Sequence, residues 1–244
     1  MLVQGLRLVK ALDKKKRNFL TAAGVPLIHP LVDLGNYVML EMGTPMHVFD
    51  LDHLELPLNI AFPVSKKNSF QAIGGDTKIV EPSSLTIQDQ KGIQAIAGII
   101  GGHESSVSKN TKNVAVEAAF FNPDKIANQA RKYGLATDAS HRFERGVDPA
   151  LQQKALARFL FLLKEVAQYD SIECYEGSSV KLKPRAISLN VERFNNFSGL
   201  SLSAKKIRLF LETLGFTSSP TKTDHLKFHI PSHRFDMELE EDLY

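Results

Sequence analysis

Between Thr137 and Pro149 the chain reads Thr-Asp-Ala-Ser-His-Arg-Phe-Glu-Arg-Gly-Val-Asp-Pro, gathering two arginines, a histidine, three carboxylates and two hydroxyls into thirteen residues. Groups of these types bind ions, orient water or move protons. They also pair with one another: Asp138 with Arg142 and His141 with Arg145 stand four apart, the spacing at which side chains meet on a helix. A ligand site and a self-paired, solvated turn therefore both fit this composition. A second group with chemical potential is Glu117, set in Val-Ala-Val-Glu-Ala-Ala-Phe. On a strand it either faces solvent or points inward, where the lost hydration must be offset by a polar partner. His47, Asp50, Asp52 and His53 superficially resemble metal ligands, but His47 and Asp50 fall on opposite faces of an extended segment and no second cluster completes a coordination shell. No metal site is expected, and His47 alone fits a hydrogen-bonded structural histidine as well as a site residue. Gly101-Gly102 leaves room for backbone N–H groups to approach a ligand, or for a tight turn.

The elements that must carry these residues follow from periodicity and punctuation. A loose strand is expected over Gln4 to Val9 and a helix over Lys14 to Ala23, ended by Gly24. Its basic run, Lys14 to Arg17, fits a solvated face as well as a phosphate contact. A short helix is expected from about Gly35 to a glycine cap at Gly43. Short strands follow over Leu58 to Val64, Lys78 to Val80, Leu85 to Asp89 and Ile93 to Ile100, the last apolar on both alternations and so deep in a sheet. Val114 to Phe120 is the next strand. Asn122-Pro123 opens a helix running to Tyr133-Gly134. Asp138 is expected to cap a short helix ended by Gly146, and Ala150 to Gln168 is the strongest helix, with Leu151, Ala155, Phe159, Leu162 and Val166 in one apolar row. Ser171 to Glu176 reads as a strand, and residues 179–185 have the composition of a linker between a first domain over 1–178 and a smaller one over 186–244. In the second, strands at Ile187 to Leu189 and Leu226 to Ile230 flank helices at Val191 to Phe197 and Ser203 to Leu214. The fold class is α+β, a mixed or antiparallel sheet packed by helices and followed by a small helix-turn-helix-like unit.

Bulk properties narrow the partners. The 244 residues carry a formal net charge of +3, all of it before Arg185, with 23% charged and 43% hydrophobic residues. That is ordinary for a globular protein and too mild for a general nucleic-acid binder, so contact with RNA would rest on local patches, and DNA binding is not expected. A single cysteine, Cys174, excludes an internal disulfide and fits a reducing compartment. No apolar run is long enough to span a membrane and no signal peptide is visible, so a cytoplasmic location is expected. The last residues, Glu238 to Tyr244, read as a helix cut short, the pattern of a piece of something longer.

Taken together, several stretches resemble one family in the same order. Thr137 to Pro149 is similar to the signature of the B3/B4 editing region in the beta subunit of bacterial phenylalanyl-tRNA synthetases. Val32-Asp33-Leu34-Gly35-Asn36-Tyr37-Val38, Pro45-Met46-His47-Val48-Phe49-Asp50, Ala97 to Gly102, Glu117 to Phe121 and Arg131 to Leu135 continue the resemblance. Leu214-Gly215 and Pro231 to Asp236 resemble the B5 domain that follows. The resemblance implies an editing region that hydrolyses tyrosine wrongly attached to the phenylalanine tRNA, within a beta subunit that joins an alpha subunit as an α2β2 heterotetramer. It implies a pocket made by His47, Glu117, Thr137 and Ala139, with Asn36 and the Gly101-Gly102 backbone nearby. In that mapping Glu117 reads the phenolic hydroxyl, while His47 and Thr137 position water at the ester. No cofactor is implied for this stretch; ATP and Mg²⁺ belong to the full synthetase. Gly35 stands where the family usually has threonine, and Pro26 where it commonly has arginine. Those departures leave open a structural, tRNA-positioning module that has lost hydrolysis.

Overall fold

The computed structural model describes residues 1–64, 68–177, 183–219 and 225–244. By internal contacts the chain divides into two units, one made of Met1–Val147 and Leu151–Gly177, the other of Asp148–Ala150 and Ser178–Tyr244. Most of the linker read at 179–185 lies outside the described residues; Lys183 and Pro184 are irregular, and Arg185 already opens a strand.

In the first unit the strands are β1 (Leu2–Gln4), β2 (Arg7–Leu8), β3 (Met46–Asp50), β4 (Asn59–Ala61), β5 (Asn68–Gln71), β6 (Thr77–Val80), β7 (Thr86–Gln88), β8 (Ile93–Ile96), β9 (Ile100–Gly101), β10 (Val114–Ala118), β11 (Ala167–Gln168) and β12 (Ser171–Glu173). The helices are α1 (Lys14–Ala22), α2 (Pro30–Met42), α3 (Pro123–Ile126), α4 (Gln129–Lys132), α5 (Asp138–Arg145) and α6 (Gln152–Val166). The central sheet runs β12-β1-β10-β3, a second runs β4-β7-β8-β9, and β5 pairs β6; every named pairing is antiparallel.

Strand alternation gives the central sheet two different faces. Val3, Val48, Val114 and Val116 join Leu34 and Val38 of α2 and Phe159 and Leu163 of α6 in one core. Phe49 and Ala115, on the other face, join Ile87, Ile96, Ile99, Phe121 and Phe143 in a second core. The α6 side is tight, with Ala155, Phe159 and Leu163 fully enclosed. Lys16 of α1 donates to Glu165 at 3.0 Å, so part of the basic run is committed to holding α1 against α6.

Several boundaries differ from the sequence expectation for identifiable reasons. Helix α2 begins at Pro30 and not near Gly35, because Pro30 occupies the first helical position, the His29 side chain accepts from Leu31 N, and Asp33 accepts from Ile28 N at 2.8 Å. The stretch from Ile93 to Ile100 is not one deep strand but a hairpin, turned at Gly98, which has φ +69°. The helix expected from Asn122 to Tyr133 is broken into α3 and α4 at Asn128, which adopts the left-handed conformation (φ 62°). Strand β5 carries too little apolar alternation to be read in advance.

The second unit comprises β13 (Arg185–Asn190), α7 (Val191–Ser198), α8 (Ala204–Thr213), β14 (Thr217–Ser219) and β15 (His225–Ile230). Its sheet order is β13-β15-β14, and Leu189, Ile207, Phe216 and Phe228 fill its core. The turn between α7 and α8 is held by Asn195, whose amide donates to Leu202 O at 2.9 Å and accepts from Leu202 N at 2.8 Å. The end of the chain forms only a 3-10 turn at Glu240–Leu243.

Gly35 lies buried within α2 with an ordinary helical φ, and an added Cβ would meet only Met46, at 3.7 Å from its Cβ, which is normal van der Waals contact. A glycine inside a helix costs about 0.5–1 kcal/mol relative to alanine. Gly35→Ala is therefore expected to raise unfolding free energy by roughly that amount in urea titration. A loss of stability would show that the α2–β3 seam tolerates no added methyl.

Candidate functional site

The two faces of the central sheet decide where the polar residues go. Because Val48 and Val116 are drawn to the helices, their neighbours His47 and Glu117 must project from the opposite face. Strands β3 and β10 pair in the register Phe49↔Ala115, Val48↔Val116 and Glu117↔His47, so the imidazole and the carboxyl stand directly across from each other. The His47 ring meets Phe49 edge-on at 4.3 Å between centroids. Its Nε2 is buried without a hydrogen-bond partner. Among the described residues nothing hydrogen-bonds the Glu117 side chain either.

Gly101 packs against the His47 ring from the second sheet. A Cβ at 101 would lie 2.5 Å from His47 Cε1 and 2.6 Å from Nε2, so the ring occupies the space a side chain would need. At Gly102 a Cβ would lie 2.8 Å from the Gln94 carbonyl oxygen, and its N–H donates to that oxygen at 2.7 Å. The glycine pair thus serves close packing, with the Gly102 N–H committed within the sheet and not offered to a ligand.

The turn preceding β9 is fixed from α5. Thr137, and not Asp138, caps that helix: its Oγ1 accepts from Ser140 N at 3.0 Å and donates to Ile99 O at 3.0 Å, while Ser140 Oγ accepts from Thr137 N at 3.1 Å. Thr wins because its hydroxyl serves two partners at once, whereas Asp138 is drawn to Arg142 (2.7 Å). Phe121 and Phe143 pack edge-on at 5.0 Å, and Gly98 leaves space for both rings. Ala139, in the first turn of α5, packs against this same core.

Residues 2–168 match the B3/4 domain family. The chain belongs to that family. Residues 187–244 match the tRNA synthetase B5 domain. The chain is 38% identical over 99% of its length to the phenylalanine–tRNA ligase beta subunit of Idiomarina loihiensis, and 39% identical over 99% to that of Pectobacterium atrosepticum. It spans about 30% of the length of each. A crystal structure of an N-terminal fragment of the phenylalanyl-tRNA synthetase beta subunit from Pyrococcus horikoshii, 16% identical, aligns over 100% of this chain and 68% of that one with a TM-score of 0.45.

Of the residues singled out in the sequence, the fold brings together His47, Glu117 and Gly101, with Thr137 and Ala139 supporting the adjoining turn. Asn36 is half-buried on α2, and among the described residues no hydrogen bond joins it to His47 or Glu117. Asp50 is occupied elsewhere: one oxygen accepts from Thr111 Oγ1 at 2.5 Å and the other from Asp52 N at 3.1 Å. No three His, Cys, Asp or Glu residues among those described come together as a metal site. Among the described residues no helix is long and apolar enough to cross a membrane. Within α5 the charged residues satisfy one another, with Arg142 reaching Asp138 at 2.7 Å and Arg145 reaching His141 Nδ1 at 2.7 Å and Glu144 at 3.0 Å. One pocket residue escapes sequence reading altogether. Ile73 Cδ1 would stand 3.1 Å from a Cβ at 101, at the point the His47 ring also crowds, and only the Gly74-Gly75 turn beside it marks the position.

By accessible surface His47 and Glu117 are both half-buried, and the dense packing around them makes loss of hydration the dominant electrostatic effect. It raises the Glu117 carboxyl to about 7, a shift the N-terminal ammonium opposes, and lowers the His47 imidazole to about 4. Near neutral pH the pair therefore holds a neutral imidazole beside a carboxyl poised between its acid and base forms, the condition for proton transfer or for recognising a hydroxyl. Glu117 contributes stability that is full below 4.5 and lost as pH rises through 7; His47 contributes stability that is full above 6.5 and lost as pH falls through 4. Between about 4.5 and 6.5 the two slopes oppose and nearly cancel. Glu117→Gln is expected to expose a stability that rises with pH in that window, and His47→Gln one that falls, each by up to about 1.4 kcal/mol per pH unit. Chemical denaturation across pH 4–8 measures both; flat profiles for the two variants would refute the burial of the pair.

Proposed function

We propose that this chain is the editing region of a phenylalanine–tRNA ligase beta subunit, hydrolysing the ester that links tyrosine to the phenylalanine tRNA. The observation that carries the proposal is the Glu117 carboxyl, without a hydrogen-bond partner among the described residues, facing a neutral His47 on the face of the sheet away from α2 and α6. A phenolic hydroxyl entering there gives the carboxyl the partner it lacks. Phenylalanine leaves it without one, at a loss of roughly 1.5–3 kcal/mol, about ten- to a hundredfold in discrimination. A synthetic pocket that rejects an added hydroxyl by only about a hundredfold needs such a second site.

Hydrolysis adds water across the ester. The water oxygen bonds to the acyl carbon, the bond from that carbon to the terminal ribose oxygen breaks, and the ribose oxygen departs with a proton. His47 is neutral at pH 7 and its Nε2, closed off beside Gly101, lacks a partner; it takes a water only when the packing over it opens, and the tRNA's own terminal hydroxyls assist. Thr137 acts in this scheme by holding the turn at Ile99, since its proton is already given to that carbonyl. Ala139 and the Gly101 backbone shape the pocket wall, and Asn36 is a more distant support. Aminoacylation, with its ATP and Mg²⁺, is assigned to an assembly with the alpha subunit, and no step of the editing reaction passes through either cofactor.

A second function, positioning tRNA without hydrolysis, is favoured by Gly35, which offers no hydroxyl on the helix packed against Met46, next to His47. Release of tyrosine from tyrosyl-tRNA of the phenylalanine type separates the two. The chain and the intact enzyme are expected to release tyrosine far faster than phenylalanine, and Glu117→Ala to narrow that preference ten- to a hundredfold. No release by the intact enzyme would leave only the positioning role.

A further inference from the structure

The β5–β6 hairpin lies against β9 through backbone bonds at its tip. Ile73 N donates to Gly101 O at 3.0 Å, His103 N to Gln71 O at 2.8 Å, and Ala72 bridges Gly102. Gly74 and Gly75, with φ of +100° and +93°, form its turn, and Gln71 Nε2 donates to Gly75 O at 3.1 Å. This arrangement presents Ile73, 45% exposed, at the point above Gly101 that the His47 ring also crowds. A large aliphatic side chain on a loop tip gains little stability there. Its Cδ1 and the His47 Nε2, which has no partner and is closed off from water, both border the space a Cβ at 101 would take, at 3.1 and 2.6 Å.

We propose that Ile73 is the apolar cover of the His47–Glu117 site, a specificity-determining residue that keeps water from the pair and packs on the aromatic ring of the bound amino acid. The second half of this proposal rests on the editing function above; the first does not. The body of the hairpin is anchored by Phe70, Ala72 and Val80 in the second core, so what can yield to admit an ester is the Ile73 side chain at the tip, beside the two-glycine turn. The charged or titratable groups acting on the pair are few. Glu117 on β10 faces His47 on β3 and the N-terminal ammonium acts on Glu117; Asp76, beside the hairpin turn, is paired with Lys78 at 3.5 Å. A change in water access at Ile73 is therefore read out by His47 and Glu117 themselves.

The test uses the full chain, labelled for NMR, with the His47 ring and Glu117 carboxyl titrated in wild type, Ile73→Ala and Ile73→Leu. Ile73→Ala is expected to move the His47 midpoint up and the Glu117 midpoint down, each by about one pH unit, as water returns to the pair. Ile73→Leu, which keeps the volume, stays close to wild type. Midpoints unchanged in Ile73→Ala would overturn the cover. Should alanine loosen the hairpin, shown by loss of its amide signals, Ile73→Val replaces it, with a smaller shift in the same directions expected and no shift again overturning the cover. Cleavage of tyrosyl and phenylalanyl esters on the same tRNA is the second arm, in which Ile73→Ala is expected to narrow the tyrosine preference about tenfold. Shifted midpoints with an unchanged preference would overturn the ring contact. Wild type that cleaves neither ester would overturn the editing function, while the titration still decides the cover.

Discussion

The antiparallel pairing of β3 with β10 is the constraint from which the site follows. Its register sets Val48 beside Val116 and, one residue further on, His47 beside Glu117. Alternation then leaves a single choice: with the valines buried against α2 and α6, the histidine and the glutamate must occupy the other face. A slip of one residue would exchange the two sets, placing a carboxyl and an imidazole in the helix-covered core and exposing the valines. The hydrophobic energy of the helix side therefore specifies the position of the polar pair, although neither polar residue contributes to it.

A polar pair on a strand becomes a site only if something encloses it without satisfying it. Gly101 allows β9 to approach until the His47 ring fills the space of a missing side chain, and Gly102 allows the same closeness to the Gln94 carbonyl. Thr137 and Ser140 tie the neighbouring turn to the start of α5, and the Phe121–Phe143 contact backs that turn from the core side. The enclosure costs stability, since a carboxyl and an imidazole lose hydration without gaining partners. That uncompensated desolvation moves both groups from their ordinary protonation ranges.

The arrangement also explains why the most conspicuous stretch of the sequence is mainly a support. Arg142, Arg145, His141 and Glu144 pair with near neighbours on exposed turns of α5. Their charges are solvated and mutually screened, so they add little beyond holding the helix. Thr137, Ala139 and Phe143, shorter or less polar, are the members of the stretch that touch the turn and the core beneath the site.

Much of the secondary structure was legible in the sequence, because it is local. Apolar spacing set α6, glycine and proline punctuation ended α1 and α2, and small apolar alternation marked β10 around Glu117. The B3/B4-like and B5-like motifs were likewise legible, since they are carried by residue identity. What lay beyond the sequence is whatever depends on two distant segments meeting. The hairpin within Ile93 to Ile100 looks like one strand until Gly98 is seen turning it, and Asn128 breaks a helix whose periodicity runs on unbroken. Ile73 carries no signal as an isolated aliphatic residue and acquires meaning only beside Gly101 and His47. Protonation belongs to the same class, because a carboxylate is ordinary until tertiary packing removes its water. Residue types and local patterning carried which side chains had chemistry to offer and which elements held them; which of them came to share a half-buried, packed environment depended on distant segments meeting, because desolvation is a property of the enclosing surfaces and not of any one segment.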